Sequence, residues 1–295
     1  MSGVAREAVL AHSAAQPGEA WSMMATIVVL CGLAALYGCG VQNLWQRRGT
    51  GAVISVPRAV GFGLGLAAIG AADSSPVAEF AAGSFAGHMA QHMLLVVVVG
   101  PLLGAGGAAL PLSLALPRRL RRVVNRYRAA PFARWLRRPA HRLVAGGLVF
   151  TGVLWVWHLP SMFAFAERVE VVHAVEHLSF VVIAWMLWAA VLSPDRHRLT
   201  GPLGFLLLFG VGMTSAALGA VLTFAPQPLY PSVVYGTADP LADQQLAGLV
   251  MWIPMDVVLL GFAVHAFGRW LTGMDGGSSR DEVLVRPGPV PEGIS

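Results

Sequence analysis

Of 295 residues, 56% are hydrophobic and only 12% charged, where ordinary soluble domains have roughly a quarter charged. The mean hydropathy of +0.66 therefore excludes a soluble globular enzyme and equally a disordered chain. The formal charge of +5 comes from 20 basic residues, all of them Arg, against 15 acids, and ten of those Arg fall between residues 118 and 142 with no acid among them.

A bilayer-crossing helix needs about 20 mainly apolar residues. Seven segments qualify in chain order, at 22–44, 57–73, 82–104, 143–160, 171–193, 203–225 and 246–268. Residues 1–21 form an extracytoplasmic segment. They lack the basic start and prompt apolar core of a signal peptide. The second span is short and Gly-rich, with Gly61 and Gly65 spaced for close helix packing in lipid. After the third span the apolar run continues to Pro117, and reads as Gly/Pro-broken chain before an Arg-rich loop at 117–142. The tail at 271–295 is rich in Gly, Pro and charge and reads as disordered. Cys31 and Cys39 lie eight apart in one span, too far along a helix to bridge, and read as small packing residues.

Orientation follows from the Arg residues, because cytoplasmic loops retain positive charge. Arg47, Arg48 and Arg58, the Arg block, Arg196 and Arg198, and Arg269 occupy alternate connections; Asp73, Glu79, Glu167, Glu170, Asp239 and Asp243 occupy the others. The expected fold is an all-α, seven-helix transmembrane bundle over 22–270, with the N-terminus outside and the C-terminus cytoplasmic. The Arg block is read as a topology signal and lipid-headgroup contact, with no role for nucleic acid.

Histidine is costly in a membrane and raises a functional question there. His88 and His92 lie four apart in span three, His173 and His177 lie four apart in span five, and His158 closes span four before Pro160. A spacing of four puts both rings of a pair on one helix face, where two imidazoles can share a metal ion. The alternating directions of the spans place all five near the outer face. The competing reading is five hydrogen-bonded core residues, which would be expected to scatter in depth. Gln91, Met89, Met93, Met162 and Glu176 stand nearby in sequence. Thioether with imidazole favours copper, and carboxylate with imidazole favours zinc or iron. Asp243, Gln244 and Gln245 begin span seven and either cap it or complete a polar entrance to the site. Asp256 falls near mid-membrane, either protonated and hydrogen-bonded or engaged in ion handling.

The strings GHMAQHMLLVVVVGPLL, WVWHLPSMFAFA, VHAVEHLSFVVIAWMLW, LTFAPQPLYP and ADQQLAGLVMWIP occur in this order between Gly83 and Gly261. Together they resemble the bacterial CtaG-type cytochrome c oxidase assembly proteins. Two places depart from that pattern, the VVVVG before Pro101 and the Met255-Asp256 after WIP, and neither touches a histidine. The resemblance implies a multi-pass protein of the bacterial plasma membrane, acting in assembly rather than catalysis. It would supply copper to a haem-copper oxidase subunit in the same membrane, receiving it from the outer compartment or a soluble copper chaperone. Carried over by motif, the positions are His88, Gln91, His92, His158, His173, Glu176, His177, Asp243 and Gln244. The expected metal ligands are the five histidines, with Gln91, Glu176, Asp243 and Gln244 behind them. The alternatives are a His-rich membrane oxidoreductase or hydrolase using zinc or iron, a haem protein ligated from different spans, and a scaffold in which the histidines only hydrogen-bond.

Overall fold

The computed structural model describes residues 17–136, 138–192, 202–231, 233 and 237–284. His12, Arg137, Arg196, His197, Arg198 and Tyr235 lie outside the described residues, as does the end of the tail. All regular structure among the described residues is helical.

Helix α1 (Pro17–Arg48) carries the first span and ends in the Arg47-Arg48 pair. Helix α2 (Val56–Ala72) opens on Pro57 and is followed, after a 54° bend, by α3 (Ser75–Gly83). Span three is composite. It runs through α4 (Phe85–Met93), a π-helical stretch over Leu94–Val99, and α5 (Gly100–Ala105). The wide turn has a local cause, since Pro101 has no amide hydrogen and its ring crowds the carbonyl four residues earlier. The helix accommodates this by widening, and Gly100 N–H reaches back five residues to the Leu95 carbonyl. Short α6 (Ala109–Ala115) follows a turn at Gly107, whose φ is +60°.

The Arg-rich segment, expected as a loop, folds into α7 (Arg118–Ala129) and α8 (Pro131–Leu136), neither of which buries a residue. Helix α9 (Pro139–Trp157) carries span four, and α10 (Pro160–Ala166) starts at the proline expected to end it. The remaining spans are α11 (Glu170–Val191), α12 (Pro202–Phe224) and α13 (Pro240–Leu284). Helical backbone in α13 runs past residue 271, where the sequence reading begins its disordered tail, as far as Leu284.

Six of these helical segments are long and apolar enough to cross a membrane, and the bent α2–α3 pair makes a seventh if it forms one span. At 17 residues, α2 alone is about 26 Å long, short of the roughly 30 Å hydrocarbon core. Outward faces carry large apolar side chains such as Leu148, Leu178, Leu206, Met213, Val257 and Val264, as the surface of a membrane protein requires.

Two apolar clusters hold the helices together. One gathers Met89, Phe150, Leu154, Phe163, Phe180, Leu187, Leu222 and Met251 from α4 and α9 to α13. The other joins α1 and α2 to span three around Phe62, which stacks on Tyr37 with ring centroids 4.0 Å apart. Half of the expected packing face on α2 is present: a Cβ added to Gly65 would stand 2.9 Å from Leu103 Cδ2, whereas one added to Gly61 would meet Leu102 Cδ2 only at 3.9 Å. Gly104 of α5 sits closer still against α11, where an added Cβ would stand 2.7 Å from the Trp188 carbonyl carbon. That contact sets the spacing between α11 and the far end of the composite third span, whose first helix, α4, carries His88 and His92.

Candidate metal centre

The start of α4 is fixed by two acceptors. Ser84, in extended backbone, takes the Gly87 N–H on its Oγ at 2.9 Å. Asp243 reaches across from α13 and accepts the Phe85 and Ala86 N–H groups at 2.7 and 3.0 Å. These amides have no partner inside their own helix, so the carboxylate both satisfies them and complements the helix dipole. Asp243 therefore caps the histidine-bearing helix rather than its own. Asp239 does the latter, accepting the Leu241 and Ala242 N–H groups at 3.1 and 3.0 Å.

With α4 so held, His88 and His92 face α11, their ring centroids 4.3 Å apart. His173 and His177 form the matching pair, also 4.3 Å apart. Between the pairs the separations are 5.3 Å from His88 to His173 and 5.2 Å from His92 to His177. His88, His92 and His177 are buried, and Glu176 is fully so. Its Oε1 lies 4.0 Å from His92 Nε2 and its Oε2 3.7 Å from His173 Nδ1.

Two further acids join, both of which the sequence reading used only as topology markers. Glu167 Oε1 lies 3.3 Å from His88 Nδ1 and 3.9 Å from His173 Nδ1. Asp73 Oδ1 accepts from His177 Nδ1 at 3.4 Å. Glu167 arrives because Pro160 starts a new short helix, α10, which turns the chain back over the histidines. A proline two residues after His158, followed by an apolar turn and an acid, is the signal that was available in the sequence. Asp73 is the C-cap of α2 and reaches the site by the bend that follows it.

Two groups have three ligand atoms mutually within 4.8 Å: His88, His92 and Glu176, and His88, Glu167 and His173. Both ring nitrogens of His92, both carboxylate oxygens of Glu176 and Nε2 of His177 are buried with no hydrogen-bond partner among the described residues. Buried polar atoms are almost always satisfied. One ring nitrogen of His92, Nε2 of His177 and the Glu176 oxygens are thus placed as free ligand atoms for a cation.

His158 stands to one side. Its Nδ1–H donates to the Leu154 carbonyl at 2.7 Å, and its Nε2 faces Met89 Sδ at 3.5 Å. Its ring centroid is 6.5 Å from that of His92. With metal–nitrogen bonds of about 2.0–2.1 Å, two imidazoles on one ion have centroids at most about 6.5 Å apart, so His158 stands at the outer limit of reach from His92. Gln91 donates to the Ala72 carbonyl at 2.8 Å, tying α4 to the end of α2. Gln244 accepts the Leu229 N–H at 2.7 Å and donates to the Leu222 carbonyl at 3.2 Å, pinning the α12–α13 connection. In that connection Tyr230 donates to the His158 carbonyl at 2.9 Å, and burial raises the pKa of its phenol, which keeps it a donor. Asp256 accepts from Trp252 Nε1–H at 2.7 Å and takes no part in the histidine cluster.

The family described as cytochrome c oxidase caa3 assembly factor, Caa3_CtaG, matches residues 35–273. The chain belongs to this family. Every residue of the histidine and carboxylate cluster lies within the Caa3_CtaG match. Two uncharacterized proteins, one from Mycobacterium bovis and one from Mycobacterium tuberculosis, are each 27% identical over 253 residues. The alignment covers 81% of this chain but 37% of theirs, so the chain spans little more than a third of the length of these relatives. No solved structure matches. This Caa3_CtaG chain is thus an all-helical membrane protein of an oxidase assembly family, with a buried cluster of imidazoles and carboxylates between α4, α10 and α11.

Proposed function

We propose that the cluster formed by His88, His92, His173, His177 and Glu176 binds a copper ion during assembly of a haem-copper oxidase in the same membrane. The observation that carries the reading is the set of buried, hydrogen-bond-free lone pairs on His92, His177 and Glu176. Membership of an oxidase assembly family supports a cargo destined for the oxidase, and imidazole-rich sites suit copper. The ion is substrate rather than resident cofactor. It reaches the centre from the outer compartment or a soluble copper chaperone, in a protein of the bacterial plasma membrane with its N-terminus outside. It leaves by ligand exchange to a partly folded oxidase subunit.

The residues divide the labour. Asp73 holds His177 in the tautomer whose Nε2 carries the lone pair, an outer partner of the kind that orients metal-binding imidazoles. Glu167 stands behind His88 and His173 in the same way. Glu176 offers a negative oxygen to the ion, and its exchange between His92 and His173 gives a route for changing ligands without exposing the cation.

The three carboxylates favour a second reading, since imidazole with carboxylate also suits zinc or iron. A zinc- or iron-dependent membrane enzyme would use Glu176 or Glu167 as a base beside an open metal position. Metal analysis of protein purified from cells grown with copper, zinc and iron decides between them. The copper reading expects bound copper, with the equivalent held by the cluster lost in the His88→Ala/His92→Ala variant. Stoichiometric zinc or iron, with copper at background, would contradict it.

A further inference from the structure

Beside the central cluster lies a second pair of donors of different chemistry. Met89 is fully buried and His158 nearly so. The Nδ1–H of His158 is committed to the Leu154 carbonyl, so the lone pair of the imidazole is on Nε2. That atom faces Met89 Sδ at 3.5 Å, and a thioether has no proton to give. Two soft lone-pair donors therefore confront one another, an arrangement that a cation between them satisfies. With metal–nitrogen and metal–sulfur bonds of about 2.0 and 2.3 Å, that separation subtends about 109° at the ion, the tetrahedral angle.

The backbone builds this pair deliberately. His158 is the C-cap of α9, and Tyr230 holds its carbonyl from the opposite side. Met89 follows His88 on α4 and so points about 100° around the helix from it, away from the carboxylates. Glu176, Glu167 and Asp73 are all absent from the ion pairs of His158 among the described residues. The set is thus one imidazole and one thioether, which selects a soft monovalent ion.

We propose that Met89 Sδ and Nε2 of His158 form a separate Cu(I) site alongside the imidazole–carboxylate centre. This deepens the copper reading and rests on it. His92 is the link between the two sites. It is the central histidine whose ring contacts that of His158, and neither of its nitrogens is engaged in a hydrogen bond. A rotation of its ring adds a third donor to a Cu(I) held by Met89 and His158 and hands the ion on with no change of oxidation state.

The test is Cu(I) loading of the detergent-purified full chain under anaerobic conditions, in a Cys31→Ser/Cys39→Ser background that removes competing thiols. Stoichiometry is read against a Cu(I) chelator and ligation by X-ray absorption. The expected result is two Cu(I) per chain and a sulfur neighbour near 2.3 Å. Met89→Leu and His158→Gln should each lose one equivalent, and Met89→Leu should also lose the sulfur neighbour. The His173→Ala/His177→Ala variant should keep a sulfur-ligated Cu(I). A parent protein binding a single Cu(I) without sulfur, or sulfur ligation that survives Met89→Leu, overturns the second site and leaves the central one standing. A parent protein binding no copper overturns both.

Discussion

Asp243 shows how far a side chain can act from the helix that carries it. It belongs to α13 but satisfies two amides at the start of α4, and through them sets the rotation of His88 and His92. Hydrogen bonds to a charged acceptor contribute about 1.5–3 kcal/mol each. Asp243→Ala is expected to lower thermal stability in detergent by about 3 kcal/mol or more, with Asp243→Asn retaining part of it, as followed by the melting of the helical circular dichroism. Glu176 predicts the opposite balance. Both its oxygens are buried without hydrogen-bond partners, so in the metal-free protein it is a cost, because a buried polar group without a hydrogen bond is expensive. Glu176→Gln should weaken metal binding by about 10- to 100-fold while leaving the metal-free melting temperature unchanged or higher. A fall in metal-free stability with undiminished affinity would make Glu176 a structural residue. The four paired histidines were legible from their spacing, since a helix brings every fourth residue to one face. Glu167 and Asp73 were harder to read, because their approach depends on two turns of the chain, after His158 and after Ala72; Pro160 marks the first of these, but no local pattern marks the direction of the second.

Among the elements, the decisive contact is between α5 and α11. Gly100 and Gly104 let the two helices approach until the Trp188 backbone occupies the place of a side chain at residue 104. Gly104→Val forces them apart. Overpacking of this kind costs about 1–3 kcal/mol, and because α11 carries His173 and His177, metal capacity should fall together with melting temperature. A variant that melts early yet binds metal normally would show that the centre does not depend on this spacing. The helices over spans one and three to six were readable from hydropathy to within a few residues, whereas the second span qualifies only together with its bent neighbour and the last helix extends beyond both expected ends. What composition did not reveal was the break-up of the apolar chain. The π-helical turn at Leu94–Val99 answers to Pro101, and α10 answers to Pro160. Pro101 lies inside an unbroken apolar run and Pro160 has the sequence context of a helix terminator, so both prolines are ambiguous until the neighbouring helices are in place. The Arg-rich segment is likewise helical, although its charge identified it only as a loop.

In the molecule as a whole, the histidine centre lies with the acids Asp73, Glu167 and Asp243, while among the described residues Arg47, Arg48 and Arg121 come together around a separate cavity. If positive loops stay in the cytoplasm, the centre opens outward. Reporter fusions test that arrangement: alkaline phosphatase should be active when joined after Glu167 and inactive after Ala130, and the reverse pattern would put the centre on the cytoplasmic side. It would also remove the outer compartment as the source of metal. The separation of an imidazole–carboxylate centre from the Met89–His158 pair gives the protein two environments for one ion, which suits a carrier better than a permanent cofactor site. The most direct measurement of the central claim is the copper occupancy and activity of the oxidase in cells whose only copy of this protein is His88→Ala/His92→Ala. Copper delivery through these histidines predicts that variant protein reaches the membrane in normal amount while the oxidase is assembled without its copper and is inactive. A fully copper-loaded, active oxidase in those cells would contradict it.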